Sequence, residues 1–506
     1  MRAVARAASP RAHREACVVG AGPAGLSAAV ALARSRRFDR VVVVERLALP
    51  AAFAPTRGFH YSLDARGRAA LDATVGLEDG SPVAAALAER AVVTAEELPI
   101  TIAEPDGRVT DRSVAVKADG NVQYWMPRQD LLHALLGAAE AQEGVELRRG
   151  WEASVAIGDG GATVTLSPSA VGGIGSRAVV TLRPALLVGA DGYRSRVKSA
   201  LEAWDGSERF ELQSLPSPAA GLRYKVLTLP ADLRLGDEAR VAEKGRLVSI
   251  RGANKGSKKA LRLGLLPVAP GMTVRTANVI TNPDHELWTE VHDAESFYEY
   301  FQRVFPQVDW RMTVPEEEAA SFAASSGGTF PEPQRTPCLG ASLSEDGATA
   351  AVLVGDAAHA FPPDIGQGVN SALEDVELLA EQLDATSSGS VASLGDAVEA
   401  YSAARGPDVE ALVRLVATSY PWQYSQSALG SFLWTLNFAL RTVLNALLPK
   451  VFSPHSFILT QQMAGRPYTQ IWRRAQETTK RVAALLAALA CAAVAAAALA
   501  LRGSGH

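Results

Sequence analysis

Ala16-Cys17-Val18-Val19-Gly20-Ala21-Gly22-Pro23-Ala24-Gly25 opens the structured part of this 506-residue chain and decides its fold. An apolar strand runs into a Gly-x-Gly-x-x-Gly turn, and Leu26 to Ala33 continues as an apolar-periodic helix. The first glycine permits the tight turn, the second lets backbone approach a pyrophosphate, and the third allows the helix to pack on the strand. The helix start adds unpaired N–H groups and a partial positive charge. A second strand, Val41 to Val44, ends at Glu45, twenty residues past Gly25. A carboxylate there accepts from a ribose 2′-hydroxyl and repels a 2′-phosphate. The tightly held dinucleotide is therefore expected to be FAD or NAD, not NADP.

Two later stretches extend this reading. Leu186-Leu187-Val188-Gly189-Ala190-Asp191-Gly192 is a buried strand entering an acidic turn, followed by the basic start Arg194-Ser195-Arg196. Val352-Leu353-Val354-Gly355-Asp356 repeats the strand and acidic turn, and Gly366-Gln367-Gly368-Val369-Asn370 begins another helix. Asp356 is a ready acceptor for a ribityl hydroxyl. Gly366 and Gly368 supply close backbone approach and N–H donors at a helix start, where an electron-rich isoalloxazine edge sits well.

Outward from these motifs, the chain carries 50 Lys+Arg against 54 Asp+Glu, a net charge of −4 and a pI near 6.1. No basic field points to nucleic acid. Cys17, Cys338 and Cys491 are odd in number and far apart, which excludes a disulfide scaffold and CxxC sites. No N-x-Ser/Thr sequon occurs, so secretion is not expected. Residues 1–16 carry four Arg and read as a disordered leader, with a targeting fragment as the alternative. Residues 150–188 and 220–282 are rich in strand signals, and from Asp396 onward helical stretches dominate. Val482 to Leu501 holds twelve Ala, five Leu, two Val and Cys491 with no charge, about the 30 Å needed to span a bilayer. Arg473, Arg474, Lys480 and Arg481 precede it and only Arg502 follows, so a spanning tail is expected to keep the body cytosolic; the alternative is a soluble Ala-rich helix packed on the body.

The three motifs, in this order and spacing, resemble those of the FAD-dependent monooxygenases of the aromatic-hydroxylase type. The likeness is nearest to the kynurenine 3-monooxygenase branch. It also takes in Thr56-Arg57-Gly58, Arg66-Gly67-Arg68, Pro127-Arg128-Gln129-Asp130-Leu131, Glu374-Asp375 and Arg405-Gly406-Pro407-Asp408. The resemblance implies an α/β fold: a Rossmann-like FAD-binding domain, an inserted β-rich substrate domain, and a helical C-terminal part ending in a membrane helix. We expect the discontinuous FAD-binding domain at 15–82, 121–205 and 325–407, and the β-rich substrate domain at 83–120 and 206–324. C-terminal helices follow at 408–480 and a membrane tail anchor at 482–501, on a surface such as an organelle outer membrane.

By the same resemblance, tight non-covalent FAD is held by Gly20, Gly22, Gly25, Glu45, Arg46, Arg128, Asp191, Asp356, Gly366, Gly368, Val369 and Asn370. Glu45 binds the adenosine ribose with Arg46 near the adenine, Arg128 holds the diphosphate–ribityl region, and the Val369-Asn370 backbone faces the flavin. NADPH visits transiently, with Asp191 in the motif that serves FAD and NADPH pyrophosphate. The implied reaction uses NADPH and O₂ to hydroxylate an aromatic ring through a C4a-hydroperoxyflavin, and no acid–base residue is required of the protein. Arg90 falls where the branch holds a substrate carboxylate. The branch's partner residues, a Tyr, an Asn and a second Tyr, fall near Val114, Ser419 and Ser456, and Pro363-Asp364-Ile365 replaces bulky apolar residues. These departures keep open an epoxidase or hydroxylase of a lipophilic, membrane-borne substrate. A flavin-bearing interaction protein without catalysis is the alternative of another class.

Other features have plainer readings. Arg66 is expected to be a solvated charge, and His359 to cap or pack rather than act as a base. His285 and His292 stand seven apart, too far for one metal ion on a helix, so no metal is expected. The aromatic run 297–301 and Trp422-Gln423-Tyr424 are expected in a core or interface.

Overall fold

The computed structural model describes residues 14–48, 59–95, 97–115, 122–158, 160–170, 178–254, 260–387, 392–419 and 427–503. The Arg-rich residues 1–13, the Thr56-Arg57-Gly58 turn and Trp422-Gln423-Tyr424 lie outside these residues.

Five segments pair in parallel: Ala350–Leu353, Leu186–Gly189, Glu15–Val19, Arg40–Glu45 and Val145–Arg149, in that spatial order. Gly340–Ser342 joins the first of them antiparallel at the edge. The first four are apolar on both faces because both are covered, as the crossovers of a parallel sheet require, whereas Val145–Arg149 at the far edge carries Glu146, Arg148 and Arg149 and is half-buried. Helices Pro23–Arg34, Arg128–Glu140 and Gly368–Ser387 lie in one layer. The antiparallel meander Trp151–Gly158, Gly161–Pro168 and Val180–Leu182, with helix Arg196–Asp205, contributes to the same core through Ala153, Val164, Val197 and Leu201.

The register brings the motifs together. Val19 pairs with Gly189 and with Val44, and Gly189 pairs with Leu353. The turns at Gly355-Asp356, Ala190-Asp191, Gly20-Ala21 and Glu45 therefore leave the same carboxyl edge from four successive strands, about 4.8 Å apart from one strand to the next. Ligands of open α/β sheets bind at that edge.

A second, seven-stranded sheet runs in the order Gly328–Thr329, Arg223–Pro230, Val274–Thr281, Arg262–Leu265, Leu247–Arg251, Glu97–Ala103, Val109–Ala115. One face, with Leu227, Leu229, Val248, Ile250, Leu263, Ala277 and Val279, packs against Phe297, Phe301, Trp310 and Phe322. The aromatic run is thus core. The β-rich excursion begins later than the expected 83: Val83 and Leu87 of helix Pro82–Arg90 pack with Leu131 and Leu135 of helix Arg128–Glu140. Val92–Thr94 then pairs with Gln123–Pro127, which also pairs with His60–Leu63, so the chain enters the large sheet only at Glu97.

The C-terminal part comprises helices Leu394–Ser419, Ala428–Leu447, Ser456–Gln462 and Tyr468–Gly503. The base of the last one is buried through Tyr468, Ile471 and Ala475 against Leu412, Leu415 and Ile365. Its distal part is exposed, and Tyr468–Leu499 is long and apolar enough to cross a membrane.

Candidate functional site

The glycines of the first motif divide by what they face. Gly20 has φ +102°, and an added Cβ would lie 2.3 Å from the Ala190 carbonyl oxygen; one on Gly25 would lie 1.9 Å from the Gly20 carbonyl oxygen. These two let the turn, the helix and the Asp191 segment close on each other. Gly22 has no atom within 4 Å of such a Cβ, and the same holds at Gly366, where φ is +66°, and at Gly368. Open space thus borders two helix starts, where free N–H groups favour an anion or an electron-rich ring edge.

Glu45 joins the turn directly. Its Oε2 accepts from the Ala21 N–H and its Oε1 from the Leu47 N–H, both at 3.0 Å. Each oxygen keeps a lone pair for a ligand hydroxyl. Arg46 is exposed beside it. Asp191 Oδ2 caps helix Arg196–Asp205 by accepting from the Arg196 N–H at 2.7 Å, while its Oδ1 is closed off without a partner. Burial pushes this carboxyl up.

Asp356 sits at the other end of the edge. Its side chain is open to solvent, yet the protein crowded around it raises the carboxyl, an effect that His359 and Arg128 oppose. Arg128 leads helix Arg128–Glu140, donates from Nε to the Tyr61 hydroxyl at 3.1 Å, and lies 5.6 Å from the Phe59 ring centre.

The Gly366–Asn370 segment is fixed by its side chains and by the Gly366 N–H, which donates to the Pro363 carbonyl at 3.2 Å; the N–H groups that follow at the helix start are left for a ligand. Asn370 donates to the carbonyls of Ser62 at 2.9 Å and Gly366 at 3.0 Å, and accepts from the Asp64 N–H at 3.1 Å. Gln367 donates to Asp64 Oδ2 at 3.0 Å and accepts from the Tyr468 hydroxyl at 2.8 Å. Val369 is buried with Leu26 and Leu63.

Beneath lies a buried ionic cluster built from Arg66, Glu374, Asp375, Arg405 and His359, segments that the resemblance takes in without giving them a role. Asp375 accepts from Arg405 Nε at 2.7 Å, from the Gly355 N–H at 2.8 Å, and meets His359 Nε2 at 2.8 Å. Despite burial, His359 and Arg405 hold its carboxyl down at about 2. Through Gly355, Asp375 positions the turn that carries Asp356. Arg66 is no surface charge: it is 3% exposed, ion-paired with Glu374, and stacked 3.8 Å over the Tyr468 ring. The segments stand out in the sequence as motifs, but their pairing with one another does not, because Arg66, Glu374-Asp375 and Arg405 lie far apart along the chain. His359 packs, with both its pairing and its burial explained by Asp375.

On the substrate side, Arg90 ends helix Pro82–Arg90 in an exposed position, with Nη1 3.5 Å from the Met272 sulfur of the β-rich unit. Ser419 and Ser456 are buried and hydrogen-bond to each other at 3.1 Å. Gln461 links strand to loop, accepting from Gln123 at 2.5 Å and donating to the Ile365 carbonyl at 3.3 Å. His285 is buried, accepting from the Leu287 N–H at 3.1 Å. No His, Cys, Asp and Glu cluster that could hold a metal occurs among the described residues.

The residues fit FAD: two cradling glycines, two open helix starts, an orphan oxygen on Asp191, and carboxylates at each end of one edge. Comparison with known proteins agrees. The profile of the FAD binding domain family matches residues 13–215 and 348–416, more than half of the chain. A kynurenine 3-monooxygenase of Salinispora tropica is 27% identical over 97% of this chain and 97% of its own. The flavin-dependent monooxygenase PieE, solved with FAD and substrate, superposes with a TM-score of 0.58 at 19% identity over 95% of this chain and 72% of its own. PqsL of P. aeruginosa, solved with 2-aminobenzoylacetate, gives 0.51 at 23% identity over 80% and 95%. At these identities the two structures speak for the fold alone.

Proposed function

Because the chain belongs to the FAD binding domain family and is a flavin monooxygenase similar along its length to kynurenine 3-monooxygenases, we propose that it uses NADPH and O₂ to hydroxylate an aromatic ring. The observation that carries this reading is the single carboxyl edge on which Glu45, the Gly20 turn, Asp191 and Asp356 follow one another. Glu45 takes the adenosine ribose, the Gly22 helix start the diphosphate, Asp356 with Arg128 the ribityl chain, and the Gly366–Asn370 backbone the flavin ring. Bound FAD supplies the hydride acceptor and the place where O₂ is activated. The chain's own part is to align a ring against it and to keep water out. Arg90 pairs with a substrate carboxylate where one is present. The test is NADPH oxidation by the purified protein across kynurenine, anthranilate, phenols, quinone precursors and terpenoids, with product mass showing the gain of one oxygen.

A second reading, a lipophilic substrate taken from a membrane, is favoured by two observations. The resemblance puts the kynurenine branch's Asn and second Tyr near Ser419 and Ser456, and these two serines hydrogen-bond to each other instead. Helix Ala428–Leu447, tied to the base of the last helix by the Arg441–Thr479 bond, exposes Leu429, Phe432, Leu433, Leu436, Val443 and Leu447. Stimulation by terpenoids or long-chain quinols and none by kynurenine selects this reading.

A further inference from the structure

The base of the C-terminal helix is built into the loop assigned to the flavin. Tyr468 is fully buried and donates its hydroxyl to Gln367 Oε1 at 2.8 Å. The Gln367 amide donates to Asp64 Oδ2 at 3.0 Å; Asp64 in turn caps helix Ala65–Thr74 through the Arg66 and Gly67 N–H groups and donates its own N–H to Asn370. Asn370 closes the circuit on the Gly366 carbonyl at 3.0 Å. Tyr468 is itself held from both sides. Asp408 accepts from the Tyr468 N–H at 3.0 Å and from the Thr469 N–H and hydroxyl at 2.8 Å, and the Arg66 guanidinium covers the ring. Ile365, one residue before the loop, is buried in the same cluster as Tyr468 and Ile471.

We propose that Tyr468 is a positioning residue for the flavin: through Gln367 it fixes the Gly366–Asn370 backbone, and so sets how strongly that loop favours reduced over oxidised flavin. The proposal rests on the cofactor assignment and not on any substrate. Fixed N–H groups at a helix start interact more strongly with the added negative charge of reduced flavin. A loop that wanders gives up part of that preference, and the midpoint potential falls. Burial also pushes the Tyr468 phenol well above its ordinary range, so it donates at every working pH.

The experiment is spectroelectrochemistry of the FAD-loaded full chain. Tyr468→Phe should keep FAD and lower the potential by about 30 mV, which is about tenfold in the ratio of the two affinities for a two-electron couple. Gln367→Met should do the same, and the double variant no more than either alone, because both act in one chain of bonds. Tyr298→Phe removes a buried hydroxyl bond of the same kind, to the Val314 carbonyl at 2.7 Å in the aromatic core of the second sheet, without touching the loop, so it should lower the melting temperature and leave the potential unchanged. An unchanged potential in Tyr468→Phe, or fully additive effects, overturns the proposal. Should Tyr468→Phe fail to hold FAD, fluorotyrosines of rising acidity at position 468 keep the ring and grade the donor; a potential that does not follow the series overturns it equally. Failure of every ring compound to stimulate NADPH oxidation sinks the hydroxylase reading but leaves these potentials where they are.

Discussion

At the scale of single residues, the site separates side chains that face a ligand from those that hold the frame. Asp356 makes no hydrogen bond among the described residues while its turn is pinned by Asp375. Asp356→Ala should weaken FAD binding by about 1.5–3 kcal/mol, the worth of a charge-assisted bond, with little change in the apoprotein's melting temperature. Retained FAD after dialysis of that variant would contradict the assignment. Two histidines of the frame make the fold acid-sensitive. Burial, helped by Arg275 beside His60 and Arg441 beside His455, holds both at about 4. Between roughly pH 6.5 and 4 the unfolded chain binds protons that the folded one refuses, so stability falls with pH by at most about 1.4 kcal/mol per unit for each group. His60→Gln and His455→Gln should flatten urea midpoints across that window. Asp375, held at about 2, works in a lower one: its contribution, present above pH ~4, is lost as pH falls towards 2.

At the scale of elements, the tail and its neighbour carry the association expected of this chain. Helix Ala428–Leu447 buries Arg441, which donates to Thr479 at 2.8 Å, and turns its apolar stripe outward. Lys450, Arg466, Arg473 and Arg474 are exposed on the segments that follow it, while Arg441 is buried and Arg414 pairs with Glu410. This pairing of apolar stripe and cations suits an anionic lipid surface. Full-length chain should resist carbonate extraction, whereas a chain ending at Val482 should be extracted yet still bind phosphatidylserine vesicles through the stripe. Phe432→Glu in the shorter chain should abolish that binding. Equal solubility of the full-length and shortened forms would show that 482–501 is not an anchor. Other elements show what sequence could reveal. Gly20 to Glu45, Asp191 and Gly366 to Asn370 were legible because each motif is contiguous and its chemistry is local. Arg66 was misread as solvated because the ring that covers it, Tyr468, lies 402 positions away. Helix Pro82–Arg90 was assigned to the wrong unit because an amphipathic helix does not say which apolar partner it meets.

At the scale of the whole molecule, one edge of one sheet organises everything else: four strands deliver four turns, and later segments close over them. A ligand that touches strands, loops and C-terminal helices should stabilise all of them together. At a hundredfold excess of FAD over its dissociation constant, the folded state gains about 2.7 kcal/mol, so melting followed by circular dichroism should shift upward as one transition on adding FAD to apoprotein. The purified protein should be yellow with about one FAD per chain, released intact by heat or acid. A colourless protein that takes up no FAD would refute the cofactor reading. The Tyr468–Gln367 bond adds a constraint in time. The ribosome delivers Gly20 and Glu45 early, yet the segment that locks the flavin loop emerges more than four hundred residues afterwards. A nascent chain that has not reached Tyr468 carries the glycine turn before its flavin loop is fixed. The setting of the flavin's potential, as distinct from its binding, should therefore be a late step of biogenesis that waits for Tyr468.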